Sequence, residues 1–162
     1  MKKKILAMIP ARIGSQRLKF KNLVLINDKP LIQYVIEAAK KTKIFDEIYL
    51  NSDDYIFNKI AKKNNIKFYK RPSNLGSSNA KSDDVVYDFI SKFPCDIIVW
   101  VNPIAPLQTA KEISKVVKYF KNKKLNSLIT TNEEKKHAIY NNKALNFKKK
   151  KKICKNSRFK TD

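Results

Sequence analysis

Short apolar runs rich in β-branched residues alternate along this chain with stretches whose apolar residues recur at helical spacing. Residues such as Leu31, Val35 and Ala39 are four positions apart and therefore share one face of a helix. β-Branched runs of four to eight residues are typical of strands. Strands that alternate with helices build parallel sheets covered by helices. The alternation therefore predicts an α/β fold with a mostly parallel sheet flanked by helices.

The pattern also predicts where the individual elements lie. The predicted strands cover residues 3–9, 46–51, 66–69, 96–101 and 127–131, and the predicted helices begin near residues 30, 55, 83 and 110. We expect the strand at 96–101, the most apolar, to occupy the centre of the sheet with Trp100 in its core. The face of the second helix that points inward is expected to consist of Tyr55, Ile56, Ile60 and Ala61.

Length and hydropathy predict one main domain. A chain of 162 residues with 43% hydrophobic side chains suits a single core. The regular pattern ends near residue 132, so we assign residues 1–132 to the α/β domain and residues 133–162 to an irregular basic tail. The first apolar run, residues 5–9, is too short for a membrane span or a signal peptide, which predicts a cytoplasmic protein without membrane contact.

The net charge of +22 makes nucleic-acid binding an alternative function, because clustered cations neutralise phosphates. Only four of the 36 basic residues are arginines, and eleven of the 36 fall in residues 133–162, beside three acids. No basic helix interleaved with aromatic residues accompanies this charge. The charge is therefore partly a property of the tail, and small ligands become the leading class of partner.

The loop after the first predicted strand has the composition of a triphosphate site. Ligands of open α/β sheets bind beyond the carboxyl ends of the strands. Residues 10–22 contain one of only two glycines, a serine and four cations. Gly14 lets the backbone approach a ligand, main-chain N–H groups and Ser15 can donate hydrogen bonds, and Arg12 and Lys21 can pair with phosphate oxygens. A solvated basic loop is the alternative interpretation.

Residues 9–22, IPARIGSQRLKFKN, resemble the signature of the acylneuraminate cytidylyltransferase family, which includes CMP-sialic acid synthetases and is related to CMP-Kdo synthetases. The resemblance covers about residues 4–131 and continues through the segments 29–32, 45–48, 52–53, 71–72 and 102–107. It implies a Rossmann-like fold of the nucleotide-diphospho-sugar transferase type. It further implies transfer of CMP from CTP to an acidic sugar, sialic-acid-like or another nonulosonic acid, with release of pyrophosphate, Mg²⁺ as cofactor and a homodimer.

The same resemblance implies roles for individual residues. Arg12 and Lys21 would be catalytic, because they would neutralise phosphate oxygens whose charge grows during transfer. Asn102 would contact the acidic sugar, at a position where the family usually has glutamine. The implied nucleotide-binding residues are Ala11, against the base, together with Arg12, Gly14, Ser15, Lys21, Asn22, Arg71 and Ser82. Ser82 also has a competing role, as the cap of the third helix.

The tail raises a separate hypothesis. The family is longer than this chain, and its paired magnesium-binding aspartates have no counterpart in residues 133–162. The lysine run 148–152 implies an adenine tract in A-rich codons, and a shift of one base would restore a Gln-Asp-Leu segment similar to family sequence. We interpret residues 133–162 as a frameshifted remnant of the second half. We therefore expect feeble turnover despite a formed nucleotide pocket, with a non-catalytic nucleotide-binding remnant as the alternative function.

Overall fold

The computed structural model describes residues 2–15, 18–131, 139–141 and 143–145. The helices are α1 (Leu31–Thr42), α2 (Ile56–Lys63), α3 (Ser82–Lys92) and α4 (Ala110–Asn122). The strands are β1 (Ile5–Ala11), β2 (Leu25–Ile26), β3 (Lys29–Pro30), β4 (Glu47–Ser52), β5 (Lys67–Lys70), β6 (Ile97–Trp100), β7 (Ile139–Tyr140) and β8 (Lys143–Ala144).

The chain divides into two compact units, Met1–Asn126 and Ser127–Asp162. In the second unit, β7 and β8 pair as a two-stranded antiparallel ladder, so the tail predicted to be irregular contains some regular structure. The lysine run at 148–152 lies outside the described residues, and the interpretation of residues 133–162 as a frameshifted remnant stays a hypothesis. Of the helices that the structure describes, none has the length and apolar composition needed to cross a bilayer.

A four-stranded parallel sheet in the order β5-β4-β1-β6 forms the centre of the first unit. Ala11 pairs with Ser52, Ser52 pairs with Lys70, and Met8 pairs with Trp100. The carboxyl ends of these strands therefore meet at one edge of the sheet. The α/β fold predicted from the sequence is confirmed.

Helices cover both faces of the sheet. Successive side chains of β1 point to opposite sides and therefore pack against different helices. Ala7, Ile9 and Ala11 join the core cluster formed with α1, α2 and α4, whereas Leu6 and Met8 pack with residues of α3. Residues 6–9 and Ala11 are wholly buried. This burial on both faces explains why β1 is an uninterrupted apolar run.

Two strand predictions are wrong. The predicted central strand at 96–101 is β6, which lies at the edge of the sheet among the described strands, while β1 and β4 occupy the centre. Residues 127–131 form no strand, and Ile129 is 88% exposed. A β-branched run becomes a strand only where a neighbouring strand accepts its hydrogen bonds, and composition alone does not reveal that neighbour.

The inward face of α2 differs from the predicted one. Phe57 and Ala61 are wholly buried, whereas Tyr55 is 65% exposed and Ile56 is 43% exposed. Ala61 is buried as predicted, whereas Phe57, four positions earlier, takes the buried place predicted for Tyr55 and Ile56. Ile60 packs against the same cluster, as predicted. Apolar residues at the start of a short helix do not identify its buried side by periodicity alone.

Candidate functional site

A cavity of about 290 Å³ opens at the carboxyl edge of the sheet. Its walls come from the ends of β1 and β6, the loops that follow β1, β5 and β6, and the first turns of α3. Most of the residues predicted for the site line it together: Arg12, Ser15, Lys21, Asn22, Arg71, Ser82 and Asn102. Residues far apart in the sequence thus share one cavity, because parallel strands bring their following loops to the same edge.

Ala11 and Gly14 are not among the lining residues. Ala11 is wholly buried in the core, because its side chain follows the alternation of β1 away from the cavity, while its neighbour Pro10 lines the cavity. Gly14 is exposed, and a Cβ added there would meet nothing within 4 Å. Packing within the chain therefore does not require glycine at position 14.

Main-chain hydrogen bonds hold the loop after β1. The Ile13 N–H donates to Asp53 Oδ1 at 3.3 Å, and the Ser15 N–H donates to the Ile13 carbonyl oxygen at 3.0 Å. These two N–H groups are therefore engaged within the chain, although main-chain donors of this loop were expected to face a ligand. The side chains of Arg12, Ser15 and Lys21 line the cavity instead.

Lys21 and Asn22 belong to a single 3-10 turn, Lys21–Leu23, that starts after Phe20 in a left-handed conformation with φ of 54°. The Asn22 side chain is buried, and its Nδ2 donates to the Arg12 carbonyl oxygen at 3.3 Å. Its Oδ1 has no hydrogen-bond partner among the described residues. Buried polar atoms nearly always have partners, so this oxygen is an acceptor whose partner the described residues do not supply.

Arg71 is a buried cation, with only 4% of its surface exposed. Its Nη2 lies 3.9 Å from Asp53 Oδ1, and its Nε has no partner in the described part of the chain. Burial lowers the pKa of Arg71, the negative charge of Asp53 opposes that shift, and the positive charge of Arg12 adds to it. The side chain thus supplies an unpaired N–H donor and a positive charge at the cavity wall.

The Arg12 side chain joins two of the loops that line the cavity. Its Nη1 donates to the Ser77 carbonyl oxygen at 3.1 Å, so it reaches the loop after β5. Arg12, Lys21 and Arg71 line one cavity, and no carboxylate is part of that lining. The described part of the cavity is therefore electropositive and suited to an anion.

Ser82 lies in the cavity wall and does not cap α3, and its nucleotide-binding role stays a prediction. The residue at the cap position of α3 is Lys81, α3 begins at Ser82, and no side-chain hydrogen bond caps this helix. Ser82 lines the cavity.

A side chain does stabilise the start of α2, since Asp54 Oδ1 accepts a hydrogen bond from the Ile56 N–H at 2.8 Å.

Trp100 was predicted to lie in the strand core, and this prediction is wrong. It is 39% exposed and lines the cavity, because it is the last residue of β6 and faces the side opposite Val99 and Val101. Asn102 follows in the next turn, where its Oδ1 accepts a hydrogen bond from the Ile104 N–H at 3.3 Å. The sequence feature that could have indicated this position is that Trp100 lies near the end of a predicted strand, at the edge of the sheet where ligands bind.

The described residues do not fit a magnesium ion held by the protein. Within the described ranges, no group of three or more His, Cys, Asp or Glu side chains converges on one point. Asp53, beside Arg71, already accepts the Ile13 N–H. Magnesium demands a near-octahedral set of oxygen ligands, and one engaged carboxylate does not provide it.

Comparisons with known proteins identify the family. The sequence model described as "Cytidylyltransferase" matches residues 6–158. The chain is 31% identical to the N-acylneuraminate cytidylyltransferase of Escherichia coli O18:K1:H7 over 121 residues, which are 74% of this chain and 29% of that protein. It is 43% identical to the pseudaminic acid cytidylyltransferase of Campylobacter jejuni over 88 residues, which are 54% of this chain and 38% of that protein.

Solved structures share the fold. The structure of CMP:2-keto-3-deoxy-manno-octonic acid synthetase complexed with CTP matches with a TM-score of 0.66 and 24% identity, over 74% of this chain and 48% of that one. The chain thus spans less than half the length of each of these three proteins. The family model covers nearly all of this chain, and the resemblance noted in the sequence is confirmed. This protein belongs to the cytidylyltransferase family.

Proposed function

We propose that the cavity at the carboxyl edge of the sheet binds CTP, and that the protein transfers CMP from CTP to an acidic sugar. The observation that carries the proposal is the convergence of Arg12, Lys21 and Arg71 on one cavity of a cytidylyltransferase domain. Three cations without an opposing carboxylate in the lining suit a triphosphate, whose oxygens accept charge-assisted hydrogen bonds.

The buried polar atoms of the cavity support a nucleotide as the ligand. Arg71 Nε is a donor without a partner, and Asn22 Oδ1 is an acceptor without a partner, among the described residues. Both atoms are shielded from solvent in this structure, so we propose that Arg71 and Asn22 turn them toward the cavity when a nucleotide binds. A ligand with both an acceptor and a donor then removes the cost of leaving them buried and unpaired. Ligands that lack such groups are disfavoured, because the site's own polar atoms then stay unsatisfied.

The proposed reaction is a nucleotidyl transfer. The oxygen of the sugar's anomeric hydroxyl attacks the α-phosphorus of CTP, the bond from that phosphorus to the oxygen bridging the β-phosphate breaks, and pyrophosphate leaves while the hydroxyl proton is released. Negative charge grows on the phosphate oxygens during this step. Arg12 and Lys21 stabilise that charge from the loop after β1, and catalysis of this type rests mainly on positioning and electrostatics.

The relatives support an acidic sugar as the acceptor, since their names specify N-acylneuraminate and pseudaminic acid. Asn102 is the residue that we propose contacts this sugar. It lines the cavity next to Trp100 and Pro103, and its amide oxygen is engaged with the Ile104 N–H. The amide Nδ2 group of the same side chain can donate to a carboxylate or hydroxyl oxygen of the sugar.

Two measurements test the proposal. Trp100 is the single tryptophan of the chain and lines the cavity, so its fluorescence should change when CTP binds and should change less with ATP, GTP or UTP. Pyrophosphate release should require CTP together with one sugar from a panel of N-acylneuraminate, pseudaminic acid and 3-deoxy-manno-octulosonate. Absence of a CTP-dependent fluorescence change would overturn nucleotide binding. CTP binding without release for any sugar would overturn the transfer and favour the alternative, a non-catalytic nucleotide-binding remnant.

Salt dependence separates this function from nucleic-acid binding. A protein that neutralises many backbone phosphates loses affinity steeply as salt rises, by about 10³ or more between 50 and 200 mM for six to ten contacts. One bound CTP offers a single triphosphate, so its affinity should fall far less over the same range. A steep slope for a DNA or RNA oligonucleotide, together with no CTP binding, would favour the nucleic-acid alternative.

A further inference from the structure

We propose that Asp53 is a positioning residue of the nucleotide site, whose carboxylate holds Arg71 and the loop after β1 in the arrangement that receives the nucleotide. The inference rests on the proposed nucleotide-binding function of the same cavity. Asp53 directly follows β4 and is not part of the cavity lining. Its effect on the ligand would therefore pass through the groups that it contacts.

One oxygen of Asp53 contacts residues from two of the loops that form the cavity. Asp53 Oδ1 accepts the Ile13 N–H at 3.3 Å and lies 3.9 Å from Arg71 Nη2. Ile13 precedes Gly14 and Ser15 in the loop after β1, whereas Arg71 follows β5. The Asp53 side chain is 13% exposed, so solvent screens these interactions only weakly. A single carboxylate oxygen therefore relates the positions of the loop and of the buried cation.

The other contacts of the Arg71 guanidinium are long. Nη1 lies 3.4 Å from the Asn51 carbonyl oxygen and 3.5 Å from Asn51 Oδ1, and Nη2 lies 3.5 Å from the Ala11 carbonyl oxygen. These distances exceed the usual 2.7–3.2 Å of N–H···O hydrogen bonds. They orient the guanidinium weakly. The Asp53 contact, at 3.9 Å, is an ion pair without a hydrogen bond, so Asp53 acts on Arg71 through its charge. Asp53 supplies the negative charge beside it and favours its charged form against the effect of burial.

Gly76 makes room for the Asp53 carboxylate. A Cβ built at Gly76 would overlap the Cβ, Cγ and Oδ2 atoms of Asp53. Gly76 has no positive φ, so its backbone conformation does not require glycine. It is buried at the end of the 3-10 turn Ser73–Gly76. The close approach of these two residues is therefore the structural reason for glycine at position 76, and it fixes where the carboxylate lies.

The test compares CTP dissociation constants, by calorimetry and by Trp100 fluorescence, in five variants and the unaltered chain. Asp53→Asn removes the charge at nearly constant shape and should weaken CTP binding about tenfold, as expected for losing a charged contact. Gly76→Ala should act in the same direction by displacing the carboxylate. Asp54→Asn is the matched control, since Asp54 bonds the start of α2, and it should leave CTP affinity unchanged.

The double variant Asp53→Asn/Arg71→Met tests whether Asp53 affects CTP affinity through Arg71 or through a general effect on the fold. If Asp53 acts through Arg71, the double variant should bind CTP no more weakly than Arg71→Met alone. Additive losses, or equal affinity of Asp53→Asn and the unaltered chain, would overturn the inference. So would loss of the folded state in both Asp53→Asn and Gly76→Ala, which would make Asp53 a determinant of folding. Failure of the unaltered chain to bind CTP would instead refute the proposed function.

Discussion

The guanidinium of Arg12 hydrogen-bonds the carbonyl oxygen of Ser77 at 3.1 Å, which joins two loops that are 65 residues apart in the sequence. Both residues line the cavity. The side chain proposed to stabilise the phosphates therefore also relates the loop after β1 to the loop after β5. Its planar fork can make these contacts together, which the single ammonium group of lysine cannot.

Arg12→Lys should therefore weaken CTP binding although the charge is retained. We expect a loss of about tenfold, because one charge-assisted hydrogen bond contributes about 1.5 to 3 kcal/mol. Calorimetric titration with CTP measures the loss. Arg12→Ala should bind still more weakly. Full affinity in Arg12→Lys would show that only the charge of Arg12 matters, and not its geometry.

Lys21→Ala should raise the CTP dissociation constant more than tenfold, since it removes a cation from the cavity wall. Lys19→Ala is the matched control, because Lys19 has the same charge, lies two positions earlier and is exposed outside the lining. The control should change the constant far less. Equal affinities of Lys21→Ala and the unaltered chain, measured by calorimetry, would refute the assignment of Lys21.

Gly14→Ala should leave the fold intact and reduce CTP affinity. The structure has open space around Gly14, so the added methyl group meets no neighbour within the chain. If the loop backbone approaches the triphosphate closely, as the sequence predicts, the same methyl group obstructs the ligand. Thermal unfolding and CTP titration of the same sample separate the two effects. Unchanged affinity would mean that the ligand does not approach this backbone.

Phe57→Ala should destabilise the first unit by about 3 to 5 kcal/mol, since a wholly buried phenyl ring is removed from the main core cluster. Ile56→Ala is the control in the same helix, because Ile56 is 43% exposed. We expect it to cost less than about 1 kcal/mol. Urea unfolding gives both values, and similar losses for the two variants would contradict the observed burial.

Tyr69 should titrate late. Burial, together with its hydrogen bond to Asp88 Oδ2 at 2.9 Å, raises the pKa of Tyr69 from 10.0 to about 12. The raised value means that the neutral phenol stabilises the folded state below pH 10, and that this stability is lost as the pH rises from about 10 to 12. The phenolate absorbance of the unaltered chain minus that of Tyr69→Phe should show the shift. Titration near the ordinary value would refute it.

Much of the fold could be predicted from the sequence because the physical cause is local. β1 reads as a strand from its apolar run, and α1 reads as a helix from the spacing of Leu31, Val35 and Ala39. The alternation of such elements leads to a parallel sheet. The loop after β1 could be predicted as an anion site because glycine, serine and cations follow a strand directly, and its resemblance to the cytidylyltransferases is confirmed by the family match.

The tertiary structure decided which neighbours each element has, since pairing and burial depend on residues distant in the sequence. Only the sheet order shows that β6 is an edge strand among those described and that Trp100 faces the cavity. Only folding brings Asp53 beside Arg71 and against Gly76. The sequence by itself predicted which residues contact a nucleotide, whereas the packing of the loops after β1, β5 and β6 determined which of them share a cavity, because long-range contacts leave no periodic signal.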